Sequence, residues 1–387
     1  SGTAYRLAVL PDEKSFIGTD GKNTAVLWET ATGKKLRTFS GHTKDVYTAI
    51  IVNGGKTLIT GSEDKSIKQW NIATGECLKT ITDKPAFEDV FTLAASPNKK
   101  RFAMVCDGGY AGVFDSATLE EIWKTKLGEE GEVVAWSPDG SLIASTSEDG
   151  NLYLFHPETG EISKKIKTVK KPHTPITFTN DSKFIISGGD SVLHVHSVET
   201  GDRLEPEMGF SDDGSYDHLA VGLVGSRVYV SKGSSWQVLD REDPERNRKF
   251  TENQKVTSIA LSDGSDFIAI GFERGQIKVF DTSRFELLSS MSDKGSVDGL
   301  AFLPEGKRLV AGGGNNRVTL WAIEGGKRLR DFEGHTDDVV ALALSKDGEL
   351  LMTLSKDRSI RSWSVMAGDE QAEFKLANNR PSGIAYF

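Results

Sequence analysis

The stretch GHTDDVVALALSKDGELLMTLSKDRSIRSW, residues 334–363, decides the fold. An alternating apolar run, an Asp-Gly turn, a second apolar run, a polar turn and a third run ending on Trp363 follow one another, which predicts three antiparallel strands. Residues 41–70, GHTKDVYTAIIVNGGKTLITGSEDKSIKQW, carry the same pattern near the other end of the chain. Two copies so far apart predict further copies between them.

A large or apolar residue closes the third strand of every predicted repeat. These residues are spaced 41 to 44 apart, which leaves room for four short strands and their turns but not for a helix. They are Trp28, Trp70, Phe114, Phe155, His196, Leu239, Phe280, Trp321 and Trp363. The pattern predicts an all-β domain over residues 1–387, with nine four-stranded antiparallel blades closing into one ring. An eight-bladed ring with one displaced repeat is the alternative.

The two ends of the chain both resemble first strands of a blade. Residues 5–10 form one such run, and residues 382–387, SGIAYF, form an extra one. Because two strands then compete for one position, we expect either a fragment of a longer protein or ring closure by exchange of a terminal strand.

The predicted fourth strands are rich in basic residues, as in residues 34–37, 164–167, 246–249 and 327–330. Such clusters are consistent with an anion site, but lysine on an exposed edge strand also prevents unwanted strand pairing. The second interpretation is favoured because the clusters recur from repeat to repeat. The first strands are almost wholly apolar, which predicts that they line the inside of the ring.

Charge and composition limit the possible partners. The formal net charge is −9, which disfavours nucleic acid and anionic membranes as partners. No signal peptide or membrane-spanning apolar run is present, which favours the cytoplasm, although Ser1-Gly2 leaves open that a targeting segment was removed. Cys77 and Cys106 fall in different repeats and are predicted to be small buried apolar residues without a disulfide.

These features together resemble the WD40-repeat β-propeller family over the whole chain. Gly41-His42 and Gly334-His335 match the Gly-His of the family, and four tryptophans occupy its Trp position without the following Asp. In the family a His, a Ser or Thr, an Asp and the Trp form a buried hydrogen-bonded chain. The resemblance implies two such chains, one of His42, Asp64 and Trp70 with Thr60 or Ser62, the other of His335, Asp357 and Trp363 with Thr353 or Ser355. Asp149 and Asp190 occupy the Asp position of repeats that lack the His and Trp.

No strong catalytic or metal-binding motif is present. His194-Val195-His196 has the spacing of metal ligands on a strand, but His196 takes the place of the core Trp, so a core role is favoured. Gly312-Gly313-Gly314 lacks the Lys-Ser/Thr and helix of a phosphate loop and predicts a turn. Paired loop acids such as Glu129-Glu130 are expected to be solvated. We therefore predict no cofactor and no metal.

The resemblance implies a protein-interaction scaffold, not an enzyme, that binds a peptide or protein domain as a monomeric ring. Partners are expected on the face made by the loops before the first strand and between the second and third strands. The side chains suited to anchoring a partner there are Phe87, Tyr110, Lys171, His173, Tyr216, Arg274, Arg317 and Arg358. The alternatives are a propeller hydrolase or lyase, or a small-molecule binder, with a site in the central channel, and a purely structural module of a larger protein.

Overall fold

A computed structural model describes most of the chain. The described residues are 4–12, 14–20, 23–30, 32–82, 88–168, 176–189, 192–203, 218–221, 227–240 and 243–375. The chain divides into two compact units, one of residues 1–30 and 34–204 and the other of residues 31–33 and 205–387. The predicted anchors Phe87, Lys171, His173 and Tyr216, Asp190 and the extra strand 382–387 lie outside the described residues.

The first unit contains five antiparallel sheets in which each strand pairs with the next along the chain, and each sheet is called a blade below. Blade 1 has β1 (Ala4–Val9), β2 (Ser15–Asp20), β3 (Thr24–Glu29) and β4 (Lys35–Ser40). Blade 2 has β5 (Val46–Val52), β6 (Thr57–Ser62), β7 (Ile67–Asn71) and β8 (Cys77–Ile81). Blade 3 has β9 (Val90–Ala95), β10 (Arg101–Cys106), β11 (Tyr110–Asp115) and β12 (Glu121–Lys126). Blade 4 has β13 (Gly131–Trp136), β14 (Ile143–Ser147), β15 (Asn151–Phe155) and β16 (Ile162–Lys167), and blade 5 has β17 (Ile176–Phe178), β18 (Phe184–Gly189) and β19 (Val192–Ser197).

The second unit contains four blades of the same topology. Blade 6 has β20 (His218–Val221), β21 (Arg227–Lys232), β22 (Ser235–Asp240) and β23 (Arg248–Thr251), and blade 7 has β24 (Val256–Leu261), β25 (Phe267–Phe272), β26 (Gln276–Asp281) and β27 (Leu287–Ser292). Blade 8 has β28 (Val297–Phe302), β29 (Arg308–Gly313), β30 (Arg317–Ala322) and β31 (Lys327–Glu333), and blade 9 has β32 (Val339–Leu344), β33 (Leu350–Ser355), β34 (Ser359–Ser364) and β35 (Glu370–Lys375). The helical segments of the described chain are three single 3₁₀ turns: Asn53–Gly55, Pro244–Arg246 and Glu324–Gly326.

The described residues thus form nine antiparallel sheets, eight with four strands and the fifth with three. This confirms the predicted all-β class and the predicted nine antiparallel blades. Every third strand ends within one residue of its predicted closing residue, as β7 does at Asn71 beside Trp70.

The core lies between consecutive blades within each unit, because a single four-stranded sheet cannot cover its own apolar faces. Between blades 1 and 2, Ile17 packs in one buried cluster with Leu58 and Trp70. Between blades 8 and 9, Val310 and Phe332 pack in another with Trp363. Cys106 is buried as predicted, but the prediction for Cys77 is wrong: this residue begins the outermost strand β8 and is exposed.

Candidate functional site

The loops on which partners were expected are held together in the same way in several blades. The first residue after the second strand donates its backbone N–H to the carbonyl of the residue just before the first strand. In blades 2, 3 and 4 these bonds join Glu63 to Asp45 (3.0 Å), Asp107 to Asp89 (3.1 Å) and Glu148 to Glu130 (2.9 Å). Both members are therefore acidic in three consecutive blades. We call these six residues the acidic ridge.

The same backbone bond joins residues of opposite charge in blades 7 and 9 of the second unit, and the uncharged Gly314 and Ser296 in blade 8. In blade 7 it joins Glu273 to Lys255 (3.0 Å), and in blade 9 it joins Lys356 to Asp338 (2.9 Å). Lys356 and Asp338 also form an ion pair of 2.8 Å between Nζ and Oδ2. The geometry of the loops thus recurs, whereas the doubled negative charge is a feature of blades 2 to 4.

A cavity of about 300 Å³ opens between the loops of blades 3 and 4. Its lining consists of Asp107, Gly108, Gly109, Lys126, Glu129, Glu130 and Glu148. Lys126 is the cation of this lining, and its Nζ donates a hydrogen bond of 2.7 Å to the carbonyl of Gly108. Among the ion pairs of the described residues, none involves the four lining carboxyl groups, so these acids are available to a cationic ligand.

Asp107 is the lining residue whose ionisation is most affected. Its Oδ1 is shielded from solvent and accepts no hydrogen bond from any described residue. Burial, followed by the charges of Glu130 and Asp89, raises the pKa of Asp107 to about 7. Burial and the charge of Glu63 also raise the pKa of Asp89. A cationic group placed here would relieve the repulsion and restore ionisation of Asp107.

Blade 2 contains a hydrogen-bonded chain that links its loops to its core. His42 Nδ1 lies 2.8 Å from Asp64 Oδ2, and His42 Nε2 lies 2.7 Å from Thr60 Oγ1. The indole N–H of Trp70 donates to the same hydroxyl at 2.8 Å. An ionised Asp64 only accepts, so Nδ1–H donates to it and Thr60 donates to Nε2. The chain of bonds fixes the loop before β5 against the buried Trp70.

Blade 9 repeats this arrangement with His335, Thr353, Asp357 and Trp363. The three corresponding distances are 2.9, 2.8 and 2.8 Å. Burial opposes ionisation of Asp357, but hydrogen bonds from Ser359, Thr336 and His335 outweigh it and lower its pKa. Burial also lowers the pKa of His335, although Asp357 opposes the shift, so the neutral imidazole is favoured.

The glycine before each histidine is required by its conformation. Gly41 and Gly334 have φ of 153° and 159°, values that side chains rarely adopt. A Cβ on either residue would also lie 3.1 Å from an atom of the Trp70 or Trp363 ring. The Gly-His pairs are therefore needed for the turn and for close contact with the Trp.

Blades 7 and 8 place a carboxylate where blades 2 and 9 have the histidine. Glu252, four residues before Val256, forms an ion pair of 2.6 Å with Lys278 on β26. Asp293, four residues before Val297, pairs with Arg317 on β30 at 3.0 Å and accepts a hydrogen bond of 2.8 Å from Thr319. An ion pair between the loop and the third strand thus replaces the His-centred chain.

The predicted anchors that the structure describes differ in their surroundings. Tyr110 lies beside the cavity, because Lys126 Nζ is 4.5 Å from the centre of its ring. Arg274 is 79% exposed and lies 3.9 Å from Glu273, and Arg358 is exposed. Arg317 is 23% exposed and forms an ion pair with Asp293.

Sequence reasoning missed Asp107, Lys126 and Glu148, and it took Glu129-Glu130 as ordinary solvated acids. A signal was available in the sequence, since acids recur at the same two loop positions in three consecutive repeats. The cavity itself depends on how loops of neighbouring blades meet, which no single repeat reveals.

The other candidate residues are structural. His194 and His196 are both buried, with ring centroids 6.5 Å apart. Burial lowers the pKa of His196 to about 4. No three His, Cys, Asp or Glu side chains of the described chain are grouped as ligands for a metal ion. Among the same residues, no helix has the length and apolar character needed to cross a membrane.

Family models match the chain at four places. The model described as "WD domain, G-beta repeat" matches residues 33–71 and 326–364. The model described as "Anaphase-promoting complex subunit 4 WD40 domain" matches residues 96–181 and 259–343.

Several characterised proteins are similar in sequence. The human angio-associated migratory cell protein is 22% identical, over 86% of this chain and 80% of its own length. Protein tipD of Dictyostelium discoideum is 26% identical over 46% of this chain and 30% of its own. Eukaryotic translation initiation factor 3 subunit I of Aspergillus terreus is 28% identical over 41% of this chain and 52% of its own.

A solved structure is similar in fold. The crystal structure of the computationally designed Ika8 protein matches with a TM-score of 0.56 and 19% identity, covering 94% of this chain and 96% of that one. At this identity the match supports the fold alone. The nine antiparallel blades, the two Gly-His turns with their hydrogen-bonded Trp, and the matching family models lead to one conclusion: the chain belongs to the WD40-repeat β-propeller family.

Proposed function

We propose that this protein is a non-catalytic interaction scaffold that binds a basic segment of a partner protein at the acidic ridge. The observation that carries the proposal is the cavity lined by Asp107, Glu129, Glu130 and Glu148, on the loop face, with Lys126 as its cation. Its volume accommodates an extended Lys or Arg side chain. The carboxylates around it would supply charge-assisted hydrogen bonds.

The names of similar proteins support a scaffold. A translation initiation factor subunit and an anaphase-promoting complex subunit are by name components of multi-protein assemblies. Glu63 is paired with Lys44 at 2.8 Å, and the other acids of the ridge supply a negative potential that steers basic partners and weakens with salt. Tyr110, next to Lys126, is the predicted anchor best placed to contact such a partner.

The raised pKa of Asp107 would also suit a general acid in an enzyme. However, its neighbouring carboxylates and its burial account for the shift, and the cavity lining contains no His, Ser, Thr or Cys that could act with it. We therefore keep a binding role as the proposal.

The test compares two variants, each with three acidic side chains replaced by their amides. The ridge variant carries Asp107→Asn, Glu130→Gln and Glu148→Gln. The control variant carries Glu76→Gln, Glu120→Gln and Glu161→Gln, three exposed residues that precede the fourth strands of blades 2, 3 and 4. Each protein is immobilised and used to capture partners from the source cells, and the captured proteins are quantified by mass spectrometry.

We expect wild type and the control variant to capture the same proteins through Lys- or Arg-rich segments, and the ridge variant to lose them. Peptides made from those segments should bind the ridge variant about tenfold more weakly, a loss of roughly 1.4 kcal/mol. Equal capture by both variants would place partner binding elsewhere and contradict the proposal.

A further inference from the structure

The outermost strand of blade 7 lacks a feature that the other outermost strands share. β27 has the sequence LLSSMS and contains no charged residue. Each of the other seven fourth strands within the described ranges contains at least one: Lys35 in β4, Lys79 in β8, Lys124 in β12, Lys164 in β16, Arg248 in β23, Lys327 in β31 and Glu370 in β35. Charged side chains on an edge strand hinder pairing with another strand. Among the described fourth strands, β27 is therefore the one without this protection.

The register shows which backbone groups of β27 are available. β27 is the last strand of its sheet and pairs with β26 alone. The N–H of Asp293, the residue after β27, donates to the carbonyl of Gly275 at 2.9 Å. Because the two sides of a strand alternate residue by residue, the backbone groups of Ser290 and Ser292 face away from β26. The turn Glu324–Gly326 packs against β27, and a Cβ on Gly326 would lie 3.3 Å from the carbonyl oxygen of Ser290. The N–H of Ser290 and the backbone groups of Ser292 are therefore the ones with which another strand can pair.

The side chains along this edge are also suited to pairing. Leu287 and Leu288 are 53% and 47% exposed, whereas β4, β8, β12, β16 and β31 each expose one large apolar residue. Ser289 and Met291 are buried, whereas Ser290 and Ser292 are exposed. A strand that pairs with β27 would lie beside the small side chains of Ser290 and Ser292 and would contact Leu287 and Leu288 at one end. No lysine or arginine within β27 would need to be displaced or desolvated.

We propose that β27 is a second docking site, at which an extended segment of another protein adds to blade 7 as a fifth strand. This mode of recognition uses backbone hydrogen bonds for affinity and alternate side chains for selectivity. The segment would be uncharged over the residues that pair with β27, free of proline at those positions, and apolar where it passes Leu287 and Leu288. The site is on the outer edge of a blade and does not depend on the acidic ridge.

A second copy of this chain could in principle pair through its own β27. A contact confined to one six-residue strand, however, buries far less than the roughly 800 Å² per partner that stable dimers need. A flexible segment can follow the edge along its whole length and also cover the leucines. The geometry therefore favours a peptide segment over a second copy.

The experiment selects random peptides displayed on phage against the whole chain, and the selected peptides are synthesised for affinity measurements. The test variant is Ser290→Lys, which gives β27 the charge that the other edges carry. The matched control is Thr80→Lys on β8. Thr80 lies opposite Lys68 in blade 2 as Ser290 lies opposite Lys278 in blade 7.

We expect selected peptides with alternating apolar residues to bind wild type and Thr80→Lys equally, and to bind Ser290→Lys about tenfold or more weakly. N-methylation of the peptide on the residues that pair with β27 should abolish binding to wild type, whereas methylation of the alternate residues should not. In wild type, bound peptide should slow amide hydrogen exchange at Ser290 and Ser292. This readout does not depend on how well a variant folds.

Three results would overturn the proposal. One is a selection that yields no peptide sensitive to Ser290→Lys. Another is binding that is unchanged by N-methylation at the pairing positions, since it would show contact through side chains alone. The third is a dimer of the wild-type chain in sedimentation velocity that Ser290→Lys dissociates, which would make a second copy the occupant.

Discussion

Two tryptophans connect the cores of blades 2 and 9 to their loops. Trp70 and Trp363 are 1% and 2% exposed, and each donates its indole N–H to a threonine. We expect Trp70→Ala or Trp363→Ala to lower the free energy of unfolding by about 3 to 5 kcal/mol, through lost packing and the cavity left behind. Urea denaturation followed by circular dichroism measures the change.

Trp70→Phe separates packing from hydrogen bonding at the same position. Phenylalanine keeps much of the apolar contact but leaves Thr60 without its donor, so we expect a smaller loss than for alanine. A cost below about 1 kcal/mol for Trp70→Ala would be inconsistent with a buried aromatic residue at this position.

A further prediction at the residue scale concerns how the ionisation of Asp107 affects stability. Its pKa is raised to about 7 in the folded protein, above the ordinary carboxyl value of about 4 in an unfolded chain. The folded state therefore binds more protons between these values, and this residue adds stability as the pH falls through that window. Above pH 7 its ionised form is a destabilising charge.

We expect Asp107→Asn to be more stable than wild type above pH 7 and to flatten the pH dependence of unfolding between pH 4 and 7. Thermal unfolding of both proteins in a pH series is the measurement. An equal pH dependence of the two proteins would show that the carboxyl of Asp107 titrates normally.

At the scale of the element, blade 8 preserves the tryptophan but not its partner. Trp321 is 5% exposed, and its Nε1 has no hydrogen-bond acceptor among the described residues. The strand register explains this, because Ala311 lies where Thr60 and Thr353 lie in blades 2 and 9. A buried donor without a partner costs about 1 to 3 kcal/mol.

We expect Ala311→Ser to place a hydroxyl near Trp321 Nε1 and to raise the free energy of unfolding by about 1 kcal/mol. The matched control is Ala269→Ser, in which the new hydroxyl enters an apolar cluster of blades 7 and 8 and should destabilise. If both serines destabilise equally, the new hydroxyl does not reach the indole.

The ends of the third strands were predictable because each repeat carries its own signals. Turn residues and a closing residue at an interval of 41 to 44 place the end of every third strand within one residue, since local chemistry decides where a strand ends. The positions of His42 and His335 could be inferred through the family resemblance. Cys77 was mispredicted because apolar character alone does not distinguish an outer strand from an inner one.

Contacts between elements were not predictable in the same way. In blade 8, Asp293 occupies the position four residues before β28 at which blades 2 and 9 have a histidine. Its ion-pair partner, Arg317, lies 24 residues further along the sequence. The cavity needs loops from two blades. Such features depend on the register of separate strands, which one sequence does not specify.

On the scale of the whole molecule, the net charge of −9 is unevenly placed along the chain. Blades 2 to 4 put acids at both loop positions joined by the shared backbone bond, whereas blades 7 and 9 include a lysine in each pair. Placing like charges side by side costs stability in the free protein. In the proposed function, binding of a basic partner neutralises these acids and removes their mutual repulsion.

This cost predicts how the stability of the whole chain responds to salt. Salt screens exposed charges, with a Debye length of about 30 Å at 0.01 M and about 8 Å at 0.15 M. We expect the melting temperature of wild type to rise between these concentrations as repulsion within the ridge weakens. The ridge variant should melt higher than wild type at the lower concentration and gain less from salt. The variant with Glu76, Glu120 and Glu161 neutralised should keep most of the wild-type response, because these residues lie outside the ridge. Differential scanning calorimetry in a sodium chloride series measures all three proteins. If the melting temperatures of the ridge and control variants respond to salt alike, the repulsion arises from the net charge of the whole chain and not from the ridge.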